Sequence, residues 1–275
     1  EYAPIRFQAT AIAGMSAFQL NNFEQSYNFL KTIETEIDHT GPIFNSLTLT
    51  KLKLGYLKED DYKNLMKNKD SLNEQVLVSL GDFYSKKGDT EKALQAINHL
   101  DKKTDRNSLA EAQLGLLKLN LDNLTGLSNL QKAVNSNPND TKYLVALANG
   151  YIKAKRWEEA LTIAEDLITS EPNLGYNLKA GVYLSQNQLD KAAITYKAAL
   201  KANSNNQIAA LFLAKTALNQ LNFDETKRYL DQLQKIDESS TDYHNILYLY
   251  EKISKTEETA IELAKKHYNS EPDNR

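Results

Sequence analysis

The 275-residue chain has no cysteine. Disulfides, zinc ribbons, iron–sulfur sites and thiol nucleophiles are therefore out of reach. Five prolines and ten glycines are too few for the turn-rich connections of an all-β fold and favour helices. No apolar run is long enough to cross a bilayer as a helix. Neither sign of charge dominates, since 33 Lys and Arg against 36 Asp and Glu leave a net charge of -3 at pH 7. A surface that tracks phosphates needs an excess of cations, so no nucleic-acid partner is expected. What is present is a hydrophobic fraction of 41%, enough to bury a substantial core and to exclude disorder as the main state.

Short segments recur along the chain. Thr90-Glu91-Lys92-Ala93-Leu94, Trp157-Glu158-Glu159-Ala160-Leu161, Leu189-Asp190-Lys191-Ala192-Ala193, Phe223-Asp224-Glu225-Thr226 and Glu257-Glu258-Thr259-Ala260-Ile261 occupy equivalent places. With Gly126, their key positions are 93, 126, 160, 192, 226 and 260, at intervals of 33, 34, 32, 34 and 34. A period of this length, sustained over the chain, marks an array of structural repeats.

Each repeat reads as two helical faces. Leu77, Leu80, Gly81 and Tyr84, like Leu144, Leu147, Ala148 and Tyr151, follow offsets of 3, 4 and 7 and trace one face. Ile97 and Leu100, or Ala164 and Leu167, follow the small residue and trace a second. Turn formers such as Lys87-Gly88-Asp89 separate the two, and Asn137-Pro138-Asn139, Glu171-Pro172-Asn173 and Glu271-Pro272-Asp273 read as stops. Small residues suit the point where two antiparallel helices cross most closely, so Gly81 or Ala148 is expected to face Ala93 or Ala160. One hairpin cannot cover both of its apolar faces, and stacking on its neighbours supplies the missing partner.

At these residues the chain resembles the tetratricopeptide repeat (TPR) family. One copy carries Leu80-Gly81, Tyr84, Gly88, Ala93 and Leu100; another carries Leu144, Leu147-Ala148, Tyr151, Trp157, Ala160 and Pro172. The resemblance implies an all-α fold, a right-handed α-solenoid of about eight stacked helical hairpins in one superhelical domain over residues 1–275. The expected units are 7–40, 41–73, 74–106, 107–140, 141–172, 173–206, 207–240 and 241–274. The second departs from the pattern: Ile43 to Lys58 reads as a long first helix and Asp60 to Lys67 as a short second one. In the fourth, Leu114-Gly115 reads as one residue out of register. Asn68 to Asn73 reads as the weakest seam, and the chain as a piece of a longer array.

No constellation for chemistry stands out. His39, His99, His244 and His267 fall in different repeats with no second ligand at helical spacing, so no metal, cofactor or catalytic residue is expected. Glu158-Glu159 and Glu257-Glu258 open second helices, where carboxylates suit the positive helix end. The basic pairs Lys86-Lys87, Lys102-Lys103 and Lys265-Lys266 are scattered. Tyr243, Tyr248 and Tyr250 read as packing residues in the first instance.

The resemblance implies that the first helices line a concave groove. The repeat register points Asp82, Leu116, Asn149, Ile152, Lys153 and Asn177 into it, followed by Leu184, Leu211, Lys215, Leu218 and Asn245. With only Lys153 and Lys215 close to the three asparagines, a clamp for a terminal carboxylate is disfavoured. An apolar, amide-lined channel suits an extended or helical polypeptide. The expected function is thus a non-catalytic protein-interaction scaffold. The alternatives are a module for exopolysaccharide, held by groove tyrosines and asparagines, and a regulatory region of a larger enzyme. Segments such as Ala13-Gly14-Met15-Ser16-Ala17-Phe18-Gln19-Leu20 are similar to those of TPR proteins of the bacterial envelope, including those accompanying PEP-CTERM/exosortase systems. This implies a periplasmic or membrane-anchored parent with its anchor outside these residues, a cytoplasmic setting being the other option. End-to-end self-association is the one further contact expected.

Overall fold

A computed structural model describes residues 3–103, 106–254 and 261–266. Among them every regular element is helical. The chain divides into two compact units, Glu1–Ala146 and Leu147–Arg275, with the boundary inside one helix. The first unit holds α1 (Ala3–Gln19), α2 (Phe23–Lys31), α3 (Pro42–Leu54), α4 (Glu59–Lys67), α5 (Glu74–Lys86), α6 (Thr90–Asp101), α7 (Ser108–Asn120) and α8 (Gly126–Ser136). Helix α9 (Thr141–Lys153) carries the boundary. The second unit continues with α10 (Trp157–Ser170), α11 (Pro172–Ser185), α12 (Leu189–Ala202), α13 (Gln207–Asn219), α14 (Phe223–Ile236) and α15 (Thr241–Ser254). Residues 261–266 are helical as well.

Each of the first seven hairpins turns on a single left-handed residue. These are Asn21, Gly55, Gly88, Asp122, Lys155, Asn187 and Leu221, with φ between 55° and 74°. The amide that follows reaches back five residues to end the first helix: Asn22 donates to Ala17, Tyr56 to Lys51, Asp89 to Tyr84 and Asn222 to Ala217, at 2.8–2.9 Å. This is a Schellman closure. In three turns the same residue also starts the second helix, because Asn22, Asp89 and Asn222 accept from the amides of Gln25, Lys92 and Glu225. One short segment therefore stops one helix and caps the next, and it marks the repeat more sharply than the small residues do.

Counted from that residue, the close crossing of the helices falls in register. Seven positions earlier stand Gly14, Gly81, Gly115, Ala148, Ala180 and Ala214, with Thr48 in the second hairpin. Gly115 is thus in register, contrary to the expectation. A methyl group on Gly115 would lie 2.7 Å from the Gly126 carbonyl oxygen and 2.8 Å from Leu130, so α7 and α8 meet backbone to backbone. On the second helices Ala93, Ala160, Ala192 and Thr226 are fully buried, as the repeat requires.

Three boundaries differ from the sequence reading. Helix α3 ends at Leu54 rather than at Lys58, because Gly55 takes φ 72° and the Tyr56 amide closes on Lys51. Pro172 begins α11 instead of stopping the chain, and Glu171 joins α10 to α11 without a loop. Proline fits the first helical position because the amide it lacks would have had no helical partner. Asn68 to Asn73 is no seam, for Leu72 is 1% exposed and sits in one core with Tyr62, Val76, Leu80 and Leu100. The segment 257–260, the stop at 271–273, His267 and the rest of the eighth unit after 266 lie outside the described residues.

Candidate functional site

No group of three or more His, Asp and Glu is arranged to hold a metal among the described residues. The His39 ring stands edge-on to Phe44 with centroids 5.0 Å apart. His99 lies 3.3 Å from Asp70 and lines a hollow of about 250 Å³ with Lys69, Gln95, Asn98 and Lys102. Burial holds its imidazole below the usual value, outweighing the opposing pull of Asp70. Glu159 accepts from Arg156 at 2.8 Å, which lowers its carboxyl. Tyr243 is 6% exposed, and Tyr250 packs edge-on against Phe223, so these two tyrosines serve the core.

The sequence reading missed a recurring position on the first helices whose side chains, in the first unit, bridge neighbouring elements. It stands four positions before the left-handed residue and comprises Lys51, Tyr84, Lys118, Tyr151 and Tyr183, with alanine in its place at Ala17 and Ala217. The lysines are buried and paired: Lys51 donates to Glu34 and Asp61, and Lys118 to Asp101 and Asn129. For Lys51, burial alone would lower the pKa, but the two carboxylates outweigh it and hold it above the usual value. Asn129 also donates to Glu111 at 2.6 Å, and Arg106 meets that carboxylate at 2.9 Å. The sequence signal was there, a lysine at a position where other repeats place tyrosine.

The solvent face of the first helices is also periodic. In the first unit, six positions before the turn, stand Asp82, paired with Lys86 at 2.8 Å, and Leu116, 39% exposed. In the second unit the same column holds Asn149, Gly181, Lys215 and Leu249, and one turn further on come Lys153, Ser185, Asn219 and Ile253. Asn149, Lys153, Lys215 and Asn245 are exposed and Ile152 is half-buried. Lys215 faces Asp242 of α15 at 3.5 Å. Nothing lies within 4 Å of the place a Gly181 side chain would take, so no packing demand explains a glycine inside a helix.

Four residues expected in the groove serve the interior. Leu218 is 5% exposed, a core residue rather than a groove residue, and Leu184 and Leu211 pack against the same core. Asn177 is half-buried, and its side-chain oxygen accepts from Asn206 at 3.0 Å; Asn206 in turn caps α13 by accepting from the Ala209 amide. The reason is common to all four: stacking consumes a wide arc of each first helix. About one residue per turn is left for solvent.

No family model and no curated protein matches the chain. Solved structures do. A tetratricopeptide repeat protein from Parabacteroides merdae is 17% identical, with 89% of this chain and 98% of that one covered at a TM-score of 0.60. The C-terminal part of a TPR repeat-containing protein from Cytophaga hutchinsonii is 14% identical over 96% of both chains, at 0.50. PilW, a type IV pilus biogenesis factor, is 15% identical, with 77% of this chain and all of that one covered, also at 0.50. At such identities the likeness is one of fold, and the chain has the helical-hairpin fold of tetratricopeptide repeat proteins.

Proposed function

We propose that the chain is a non-catalytic scaffold that binds a polypeptide along the solvent face of its first helices. The observation that carries this reading is the column Asn149, Gly181, Lys215 and Leu249, one residue per repeat, unused by packing in the second unit. A glycine inside a helix costs about 1 kcal/mol relative to alanine, and a partner's close approach gives Gly181 a use. Amide and ammonium groups at Asn149, Asn245 and Lys215 suit the polar groups of a backbone, while Leu249 and Ile253, 46% and 49% exposed, suit its apolar side chains. The exopolysaccharide reading loses support, because Tyr243 and Tyr250, two of the tyrosines that would stack sugars, pack inward. A role in a bacterial envelope assembly belongs to the same proposal, supported by the fold shared with PilW, a pilus biogenesis factor.

Capture of partners by the full-length protein tests the proposal, with Asn149→Ala combined with Leu249→Ala as the comparison. Both positions are exposed, so helical circular dichroism stays unchanged while affinity for the captured partner falls about tenfold. Equal affinity of the variant would remove this face from consideration.

A further inference from the structure

The bridging position carries no long side chain in two hairpins, Ala17 in the first and Ala217 in the seventh. From the second to the sixth hairpin it is filled by Lys51, Tyr84, Lys118, Tyr151 and Tyr183. Tyr84 lies edge-on to Tyr62 of α4, with the Lys92 ammonium 5.1 Å from its ring. Arg156 stands 4.6 Å from the Tyr151 ring and Lys191 5.6 Å from the Tyr183 ring. In the seventh hairpin the residue is Ala217. An open cavity of about 280 Å³ lies there, between α12 and α14 and floored by α13.

Three substitutions of the repeat shape this cavity. Ala217 replaces the bridging ring. Ala193 stands where α6 and α10 carry Leu94 and Leu161, which sets the α12 wall back. Glu225 stands where Lys92 and Lys191 cover their tyrosines, so the rim has an acid in place of the cation. Lys197 reaches Glu225 across the opening at 3.7 Å, while Asp190 on the same rim has no ion pair among the described residues. Ile194, at the mouth, is 69% exposed.

We infer that this cavity receives an aromatic side chain presented by a partner protein on a basic segment. The ring takes the place of the absent tyrosine, and a neighbouring lysine or arginine meets Asp190. The size of the occupant follows from the chain itself, which fills the same position with a tyrosine in three other hairpins. Its charge follows from the rim, where the two carboxylates Asp190 and Glu225 outnumber the one ammonium, Lys197. The site belongs to the second-helix side and is separate from the face proposed above.

Titration of the full chain with p-cresol, the tyrosine side chain as a free molecule, tests the ring. Amide shifts in ¹⁵N–¹H spectra are expected at Ala193, Thr216 and Ala217 and few other residues. Ala217→Tyr fills the cavity from within, abolishes those shifts and raises Tm by about 2–4 °C. Ile194→Asp, at an exposed position, leaves the fold intact and weakens p-cresol about threefold. The capped tripeptide Lys-Tyr-Lys binds about threefold more tightly than Glu-Tyr-Glu, and Asp190→Asn narrows that ratio. Scattered shifts, or shifts unchanged in Ala217→Tyr and Ile194→Asp, would overturn the site. Equal binding of the two tripeptides would overturn the basic partner.

Discussion

Leu221 holds a strained backbone conformation. It occupies the left-handed position at φ 55°, where Gly55 and Gly88 serve in other hairpins, and its side chain is 61% exposed. A β-carbon in this region costs about 1–2 kcal/mol, and an exposed leucine recovers little of it by burial. Leu221→Asn is therefore expected to stabilise the protein by about 1 kcal/mol, read as a higher urea midpoint with an unchanged slope. No gain would mean that Leu221 makes a contact worth as much as the strain. The turn former Gly88 was legible in the sequence by residue type. Leu221 and Lys155 were not, because neither residue type favours a positive φ, and only the Schellman bond pattern of the neighbouring turns exposes their role.

At the scale of elements, the last turn of α6 meets the 3-10 turn Lys69–Ser71 through His99 and Asp70. The facing charges are Asp70, Lys69 and Lys103, and burial is the largest influence, holding the imidazole below 6.5. A base with a lowered folded pKa binds fewer protons folded than unfolded. Its contribution to stability is complete above about pH 6.5 and is lost as pH falls through the lower folded value. Tm is expected to fall by about 2 °C between pH 7 and pH 5 beyond what His99→Gln loses over the same range. Parallel pH profiles for the two proteins would refute it. The helices themselves were largely legible, including the short α4, since apolar spacing at 3, 4 and 7 reports the buried face. Helix α3 was read four residues too long because Gly55 was not recognised as a left-handed stop. Leu184, Leu211 and Leu218 were assigned to the groove because periodicity gives the direction of a face and not how wide an arc the neighbours cover.

For the whole molecule, the division inside α9 has a consequence that can be measured. The core clusters around Leu30, Ile33 and Leu47 and around Leu77, Leu80 and Leu114 lie entirely before residue 140. The cluster around Leu213, Leu230 and Ile246 lies entirely after it. Fragments 1–140 and 141–275 are each expected to keep helical circular dichroism and to melt cooperatively, as repeat arrays with nearest-neighbour packing do. A fragment that is unfolded at 25 °C would show that its core is incomplete. The sequence by itself determined the all-helical class, the period near thirty-four and the small residues at each crossing, since these depend on local spacing and on side-chain size. Only the tertiary structure decided which polar residues are consumed by packing, as Asn177 and Lys118 are, and which stay free for solvent, as Asn149 is. It alone revealed that Ala217 leaves open the place a tyrosine fills elsewhere. The physical reason is that periodicity encodes direction, whereas burial is settled by what the neighbouring repeats bring to the same surface.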